Sequence, residues 1–157
     1  MAQKADKEQV VCVNRQARFN YFVEESFEAG LRLVGSEVKA LRQGKAQLTD
    51  SYGRIGKGEA FLHNAHISPY GAASGFNHEP TRTRKLLLHK REILRLTGKV
   101  KERGLTLVPL RIYFKNGRAK VEMALARGKK TYDKRDSIRR KEMRREVERS
   151  LKTRQKA

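Results

Sequence analysis

The chain has 157 residues and carries 37 Lys+Arg against 17 Asp+Glu, a formal net charge of +20. That length allows one domain plus a tail. The single cysteine, Cys12, excludes an internal disulfide, and no segment approaches the ~20 apolar residues that a membrane span needs. A charge excess of this size selects polyanionic partners, nucleic acid before others.

Residues 1–9 are polar and charged, read as disordered, and contain no apolar stretch of a secretory signal. With one cysteine, the expectation is a soluble cytoplasmic protein in a reducing compartment. Val10 to Val13 forms a short β-like run, in which Cys12 reads as a small buried hydrophobe. Asn14 is predicted to cap a brief helix through Arg18, after which Tyr21-Phe22-Val23 resumes extended structure. Glu24 and Glu25 are adjacent, and on a regular strand they point to opposite faces, which disfavours a shared-proton pair. Phe27, Leu31 and Leu33 are spaced as in a half-buried strand. Ser36 is the expected N-cap of a helix running to Gln43, closed by Gly44.

A turn is expected around Tyr52-Gly53, then a Gly-rich stretch at Gly56 and Gly58, then a strand from Glu59 to Leu62. Residues 68–84 are rich in Gly, Ser, Asn, Pro and Thr and read as a long loop, a feature that is usually functional or mobile. From Lys85 the pattern turns helical, with Ile93, Leu96 and Val100 at i, i+3 and i+7 and Gly104 at the end. Val108, Leu110, Ile112 and Phe114 alternate in one strand, and Ala119, Val121, Met123 and Leu125 in the next. Asn116-Gly117 between them is the preferred type I′ hairpin turn, because both positions require positive φ. Pro109 argues for an edge or the start of a strand. Five or six short strands with one long and two short helices predict a mainly β fold. An OB-like antiparallel barrel with flanking helices over residues 10–128 matches the size.

Residues 129–157 hold 13 Lys+Arg against 5 Asp+Glu, net +8. Their few apolar side chains cannot form a core. The remaining 128 residues carry 24 Lys+Arg and 12 Asp+Glu, so body and tail are both basic and an extended footprint on RNA or DNA is expected. Met143, Val147 and Leu151 fall on one face of a potential helix, with Glu and Arg interleaved at i, i+3 and i, i+4. Free, this tail is expected to be disordered or partly helical; it can fold along RNA, or stay solvated and bind without specificity.

Pro80-Thr81-Arg82-Thr83-Arg84-Lys85-Leu86-Leu87-Leu88 places three cations before an apolar run, where guanidinium and hydroxyl groups suit phosphate and sugar. Lys129-Lys130-Thr131-Tyr132-Asp133-Lys134-Arg135 places a ring among cations at the exit of the last strand, where it can stack on a base. His63 and His66 are three apart but have no supporting Cys or carboxylate cluster, so no metal site is expected. Neither a phosphate-binding glycine loop nor a Gly-x-Ser-x-Gly elbow is present. No cofactor is implied, and no catalytic residues emerge.

Several blocks together resemble the SsrA-binding protein (small protein B) family: Asn14 to Arg18 followed by Tyr21-Phe22; Phe27 to Leu31; Gly35 to Arg42; Gly44-Lys45-Ala46; Asp50-Ser51-Tyr52; Pro80 to Leu88; and Gly128-Lys129-Lys130 followed by Asp133-Lys134-Arg135. They run in family order from about Val10 into the tail. The resemblance implies an OB-like barrel that binds transfer-messenger RNA (tmRNA) at its tRNA-like domain, near the D-loop and T-arm elbow. It implies delivery of that RNA to ribosomes stalled on messages lacking a stop codon. The protein would be a likeness of the missing anticodon arm, its tail helical in the empty messenger channel near the small-subunit decoding centre. Alanyl-tRNA synthetase and elongation factor Tu are implied as indirect partners through the RNA, with no membrane and a monomeric protein.

Carried over residue by residue, Asn14, Tyr21, Glu28 and Leu87 match the RNA-binding cluster, and Lys45, Arg82, Arg84 and Lys85 would hold phosphates. Glu28 would accept hydrogen bonds from a base edge or orient an arginine. Lys129, Lys130, Tyr132, Asp133, Lys134 and Arg135 match the ribosome-binding tail, with Tyr132 where many relatives have His. On the residues alone, two other classes stay open: a ribosomal or structural OB protein bound permanently to ribosomal RNA, and a nuclease or RNA-modifying enzyme, against which the lack of a carboxylate or His cluster argues.

Overall fold

The structure is a computed structural model and describes residues 7–71 and 77–155. Most of the N-terminal segment expected to be disordered, and part of the loop expected over 68–84, lie outside the described residues. The described elements are β1 (Glu8–Val13), α1 (Ala17–Asn20), β2 (Tyr21–Leu31), α2 (Gly35–Arg42), β3 (Ala46–Gln47), β4 (Tyr52–Gly56) and β5 (Glu59–His63). They continue with β6 (His66–Ile67), β7 (Arg84–Leu87), α3 (Lys90–Arg103), β8 (Thr106–Lys115), β9 (Arg118–Gly128) and α4 (Thr131–Gln155).

The main sheet is antiparallel in the order β1-β8-β4-β5-β7-β2-β9, and β8 also pairs with β9, so the strands close into a ring. β8 can serve three neighbours because β1 occupies one edge from Arg111 to Lys115, while β4 meets that edge lower down, through Gly53 opposite Leu107. Gly53 is required there. A Cβ at this position would lie 2.8 Å from both Leu107 Cβ and Met123 Cε. The short strands β3 and β6 pair separately.

Inward-facing residues fill the ring: Leu62, Leu86, Ile112, Val121, Met123 and Leu125, joined by Leu41 from α2 and Leu96 from α3. Each such side chain contributes about 1.5–3 kcal/mol when removed from water. The expected hairpin is present, with Asn116 and Gly117 both at positive φ. Its first strand does not keep one face, however. A register shift between Pro109 and Arg111 sends Val108 and Leu110 into a smaller cluster with Ala17, Ala124 and Ala126, while Ile112 and Phe114 point into the ring. Pro109 thus sits at a bulge of a central strand rather than at an edge, the other setting in which a missing N–H is tolerated.

Other local expectations are corrected. β1 begins at Glu8, two residues earlier than expected. Residues 52–56 are a strand rather than a turn, and the tight turn falls one step later at Lys57-Gly58, both at positive φ. Lys85 lies in β7, where Arg84 and Leu86 point inward; α3 starts after His89, whose N–H donates to Glu92 Oε2 at 3.1 Å. The N-caps of α1 and α2 are Gln16 and Val34, not Asn14 and Ser36. A second bulge, between Val23 and Glu25, breaks the alternation that would separate the neighbouring carboxylates. Glu25 meets Arg95 and Lys99, and Glu24 meets Arg103 at 3.8 Å, so both fasten β2 to the same helix, α3. Cys12 is partly buried against the core, and burial raises its thiol pKa.

Candidate nucleic-acid interface

The residues singled out from the sequence fall into four places. Asn14 and Tyr21 line a cleft of about 510 Å³ between α1, the start of β2 and residues 49–52. Asn14 leaves the end of β1 and donates its side-chain amide to Pro109 O at 3.0 Å and Leu48 O at 3.4 Å. The bulge at Pro109 gives this amide its partner, so Asn14 shapes the cleft by tying β1 to β8. Tyr21 is half-buried and packs against the smaller cluster.

Glu28 and Leu87 share a second place, on the outer face of the ring. Leu87 stands opposite Gly30 of β2, two residues along from Glu28, and is 51 % exposed. Glu28 accepts the Tyr113 hydroxyl, and Lys115 and Lys120 approach it at 3.6 and 3.8 Å. The Tyr113 hydrogen bond, with those two cations, outweighs desolvation and holds the Glu28 carboxyl below its usual range. Burial, with Glu28 second, raises the Tyr113 phenol. Glu28 is thereby kept ionised on a basic face. Next to it, Arg111 bonds Glu122 at 2.5 Å and Glu8 at 3.1 Å and lies over the Tyr113 ring at 4.3 Å. Asn14 is not in this group; the structure separates it from Glu28 and Leu87.

The four cations expected to hold phosphates divide sharply. Arg84 is fully buried. Its guanidinium donates to Glu37 Oε1 at 3.0 Å and to the carbonyls of Ala65, Arg82 and Pro80 at 2.6, 3.1 and 3.0 Å. A phosphate has no access to it, so Arg84 is removed from the phosphate set. Arg82 grips the same Glu37 carboxylate through two bonds, at 2.5 and 2.7 Å, with part of its side chain exposed. Glu37 also accepts the Val34 N–H at 3.1 Å at the start of α2. Burial pushes the Glu37 carboxyl up, but Arg82, the Val34 N–H and Arg84 outweigh it and hold the group below its ordinary range. The Thr-Arg-Thr-Arg segment is thus clasped to α2. Lys45 is exposed. Lys85 pairs with Glu59 at 2.9 Å near the surface, a contact weak enough for a phosphate to displace.

The fourth place is the junction with α4. Lys129 N–H donates to Asn20 O at 2.9 Å, its ammonium reaches Ser137 Oγ at 3.1 Å and lies 4.9 Å from the centre of the Phe22 ring. Lys130 N–H donates to Asp133 Oδ2 at 3.3 Å, so Asp133 caps the helix start, where its charge also suits the dipole. Tyr132 is 73 % exposed beside it. Lys134 and Arg135 follow in the first turns. No residue of α4 is buried.

Sequence reasoning missed Glu37, Tyr113 and Arg111. A carboxylate in a helix and a tyrosine in a strand announce nothing until the fold brings Arg82, Arg84 and Glu28 to them from 45 to 85 residues away. Among the described residues no three His, Cys, Asp or Glu side chains gather as a metal site would require, and no helix is long and apolar enough to cross a membrane. His63 instead stacks on Tyr52, and His78 is buried between Ser36 Oγ and Ile67 O, each at 2.9 Å.

The family model described as "SmpB protein" matches residues 11–153. The chain belongs to the SmpB family. It is 60 % identical over 145 residues to an SsrA-binding protein of Desulforudis audaxviator, covering 92 % of this chain and 95 % of the relative. It is 56 % identical over 147 residues to one of Geobacillus thermodenitrificans, covering 94 % and 95 %. A chain solved under the description "tmRNA-SmpB: a journey to the center of the bacterial ribosome" is 51 % identical, with a TM-score of 0.67 over 82 % of this chain and 94 % of its own. Membership in the SmpB family bears out the family resemblance of the sequence blocks, and the mainly β, OB-like fold agrees with it.

Proposed function

We propose that this chain is a tmRNA-binding adaptor of trans-translation. Its barrel binds the tRNA-like domain of tmRNA, and α4 acts in the decoding region and empty messenger channel of a stalled ribosome. The observation that carries this reading is that the SmpB match runs unbroken from residue 11 to residue 153, through the barrel and most of α4, on a chain of charge +20.

On the barrel, Leu87 and the ionised Glu28 form one exposed contact patch, flanked by Lys120. Lys45, Lys85 and the exposed part of Arg82 supply phosphate contacts, and Arg84 acts only by holding their loop. Asn14 and Tyr21 shape the second contact. Lys129, Lys130, Tyr132, Asp133, Lys134 and Arg135 form the start of the ribosomal element. The protein works as a cytoplasmic monomer and catalyses nothing; alanyl-tRNA synthetase and elongation factor Tu meet it through the RNA.

Competition between tmRNA and bulk tRNA across a salt series tests the reading. Preference for tmRNA that persists as salt rises is the expected result. Equal binding that fades steeply with salt would reduce the interaction to counterion release and overturn the adaptor reading.

A further inference from the structure

We infer that Phe22, Lys129 and Ser137 form a clasp that fixes the direction in which α4 leaves the barrel. Phe22 and Ser137 are then positioning residues for the ribosomal step, and Lys129 acts through the clasp rather than as a contact to the ribosome. The inference rests on the adaptor reading above and deepens it, because that reading groups Lys129 with the tail cations and assigns nothing to Phe22 or Ser137. Lys129 stands after the end of β9 and before the start of α4, and its main chain and side chain are both engaged. Its N–H donates to the carbonyl of Asn20, the last residue of α1, at 2.9 Å. Its ammonium donates to Ser137 Oγ at 3.1 Å, eight residues on, and lies 4.9 Å from the centre of the Phe22 ring. The Ser137 hydroxyl hydrogen goes to Asp133 O at 3.0 Å, which leaves the oxygen's lone pairs for the ammonium. Arg127, paired with Phe22 across β2 and β9, holds its guanidinium 5.7 Å from the same ring, and the ring's quadrupole attracts both cations. One lysine thereby joins the start of α4 to α1 and β2.

Exposure separates this lysine from its neighbours. Lys130 and Arg135 are exposed, whereas Lys129 is half-buried with its ammonium already engaged. Asp133 and Ser137 are half-buried too, and every residue from Ile138 to Gln155 is exposed. Side-chain cover therefore ends at the clasp, and the helix beyond takes its direction from it. With a rise of about 1.5 Å per residue, the stretch from Ile138 to Gln155 reaches about 27 Å, so a rotation of about 20° at the clasp moves its far end about 9 Å. Holding one angle keeps most molecules in the arrangement that can enter the messenger channel, and apparent affinity scales with that fraction.

The test uses the full chain carrying Cys12→Ala, spin-labelled at Glu102→Cys on α3 and Arg140→Cys on α4, both exposed positions. Pulsed electron–electron resonance gives the spread of distances between the labels. Tagging on stalled ribosomes, at increasing concentrations of the chain bound to tmRNA, gives the half-saturating concentration. The chain with its clasp intact is expected to show one narrow distance. Ser137→Ala, Phe22→Leu and Lys129→Met are each expected to broaden it and to raise the half-saturating concentration about fivefold. Ser137→Ala and Phe22→Leu are expected to leave tmRNA affinity unchanged. Lys129→Met combined with Ser137→Ala is expected to be no worse than either alone, because both remove the same contact. Effects that multiply to about 25-fold in the double variant would show two independent contacts and overturn the inference. So would normal tagging by Ser137→Ala, a broad distance in the intact chain, or an unaltered distance in all three variants. If tmRNA preference in the salt series stands while these variants tag normally, the clasp alone fails. If that preference is absent, the adaptor reading fails, and the ribosomal role of the clasp with it.

Discussion

The barrel and α4 are basic in different ways. In the barrel many cations are committed to the fold: Arg84 is buried on Glu37, Arg82 grips the same carboxylate, Arg95 and Lys99 hold Glu25, and Arg111 spans Glu122 and Glu8. α4 carries ten Lys+Arg against five Asp+Glu over 131–155, and none of its residues is buried. A hydrogen bond from Lys129 N–H to Asn20 O at 2.9 Å ties its start to the body. Charge of one sign therefore serves as internal fastening in one region and as outward-facing surface in the other, and a count of Lys and Arg does not separate the two uses.

The largest effect expected from breaking this contrast is at Glu37. Glu37→Gln leaves the Arg84 guanidinium buried without a countercharge, a change that costs about 3–5 kcal/mol. Chemical denaturation is expected to show that loss, whereas Arg139→Gln on α4, at an exposed position, is expected to shift stability by less than about 0.5 kcal/mol. Comparable effects at the two sites would erase the distinction. Gly53→Ala comes next. The added methyl has Leu107 and Met123 at 2.8 Å, and overpacking at the closure of the ring is expected to cost about 1–3 kcal/mol. A fully stable variant would show that β4 and β8 are not held as closely as described.

Leu87→Asp sharpens the functional side. Leu87 is exposed, so the circular dichroism spectrum and melting temperature are expected to hold while tmRNA affinity falls about tenfold, roughly 1.4 kcal/mol; a folded variant with unchanged affinity would remove this patch from the interface. The smallest effect is the acid response. Glu37, Glu25 and Glu28 all have folded pKa values lowered by their partners. Their contribution is complete above the unfolded carboxylate pKa, about 4.3, and is lost as pH falls through the lower folded values. Urea midpoints are expected to fall between pH 5 and pH 3, and to fall less in Glu37→Gln, which has one such group fewer. An equal slope in both proteins would mean that the Glu37 clasp is not what acid releases.

What the sequence disclosed follows the same division. The β8–β9 hairpin was legible because Asn116-Gly117 states its own backbone requirement. The β4–β5 hairpin uses Lys57-Gly58 for the same turn, and a lysine at positive φ gives no such signal. Lys85 reads as helical because Leu86-Leu87-Leu88 fits either period over so short a run; the burial of Arg84 and Leu86 on one face belongs to a strand. The blocks that carry the family resemblance were readable, but their physical roles were not. Arg82 and Arg84 look like two equivalent phosphate ligands in a polar loop, and only the arrival of Glu37 from α2 shows that one is a buried fastener. Asn14 reads as a helix cap because Pro109 O, which its side-chain amide meets, lies 95 residues away.

The most direct test of the division is the chain ending at Gly128, assayed for tmRNA binding and for tagging of nascent peptides on ribosomes stalled at the end of a message. Because α4 contributes nothing to the core, the shortened protein is expected to fold and to keep most of its tmRNA affinity, while tagging is abolished. Loss of binding and tagging in equal measure from a folded protein would contradict the account, because α4 would then be part of the RNA-binding surface rather than a separate ribosomal element.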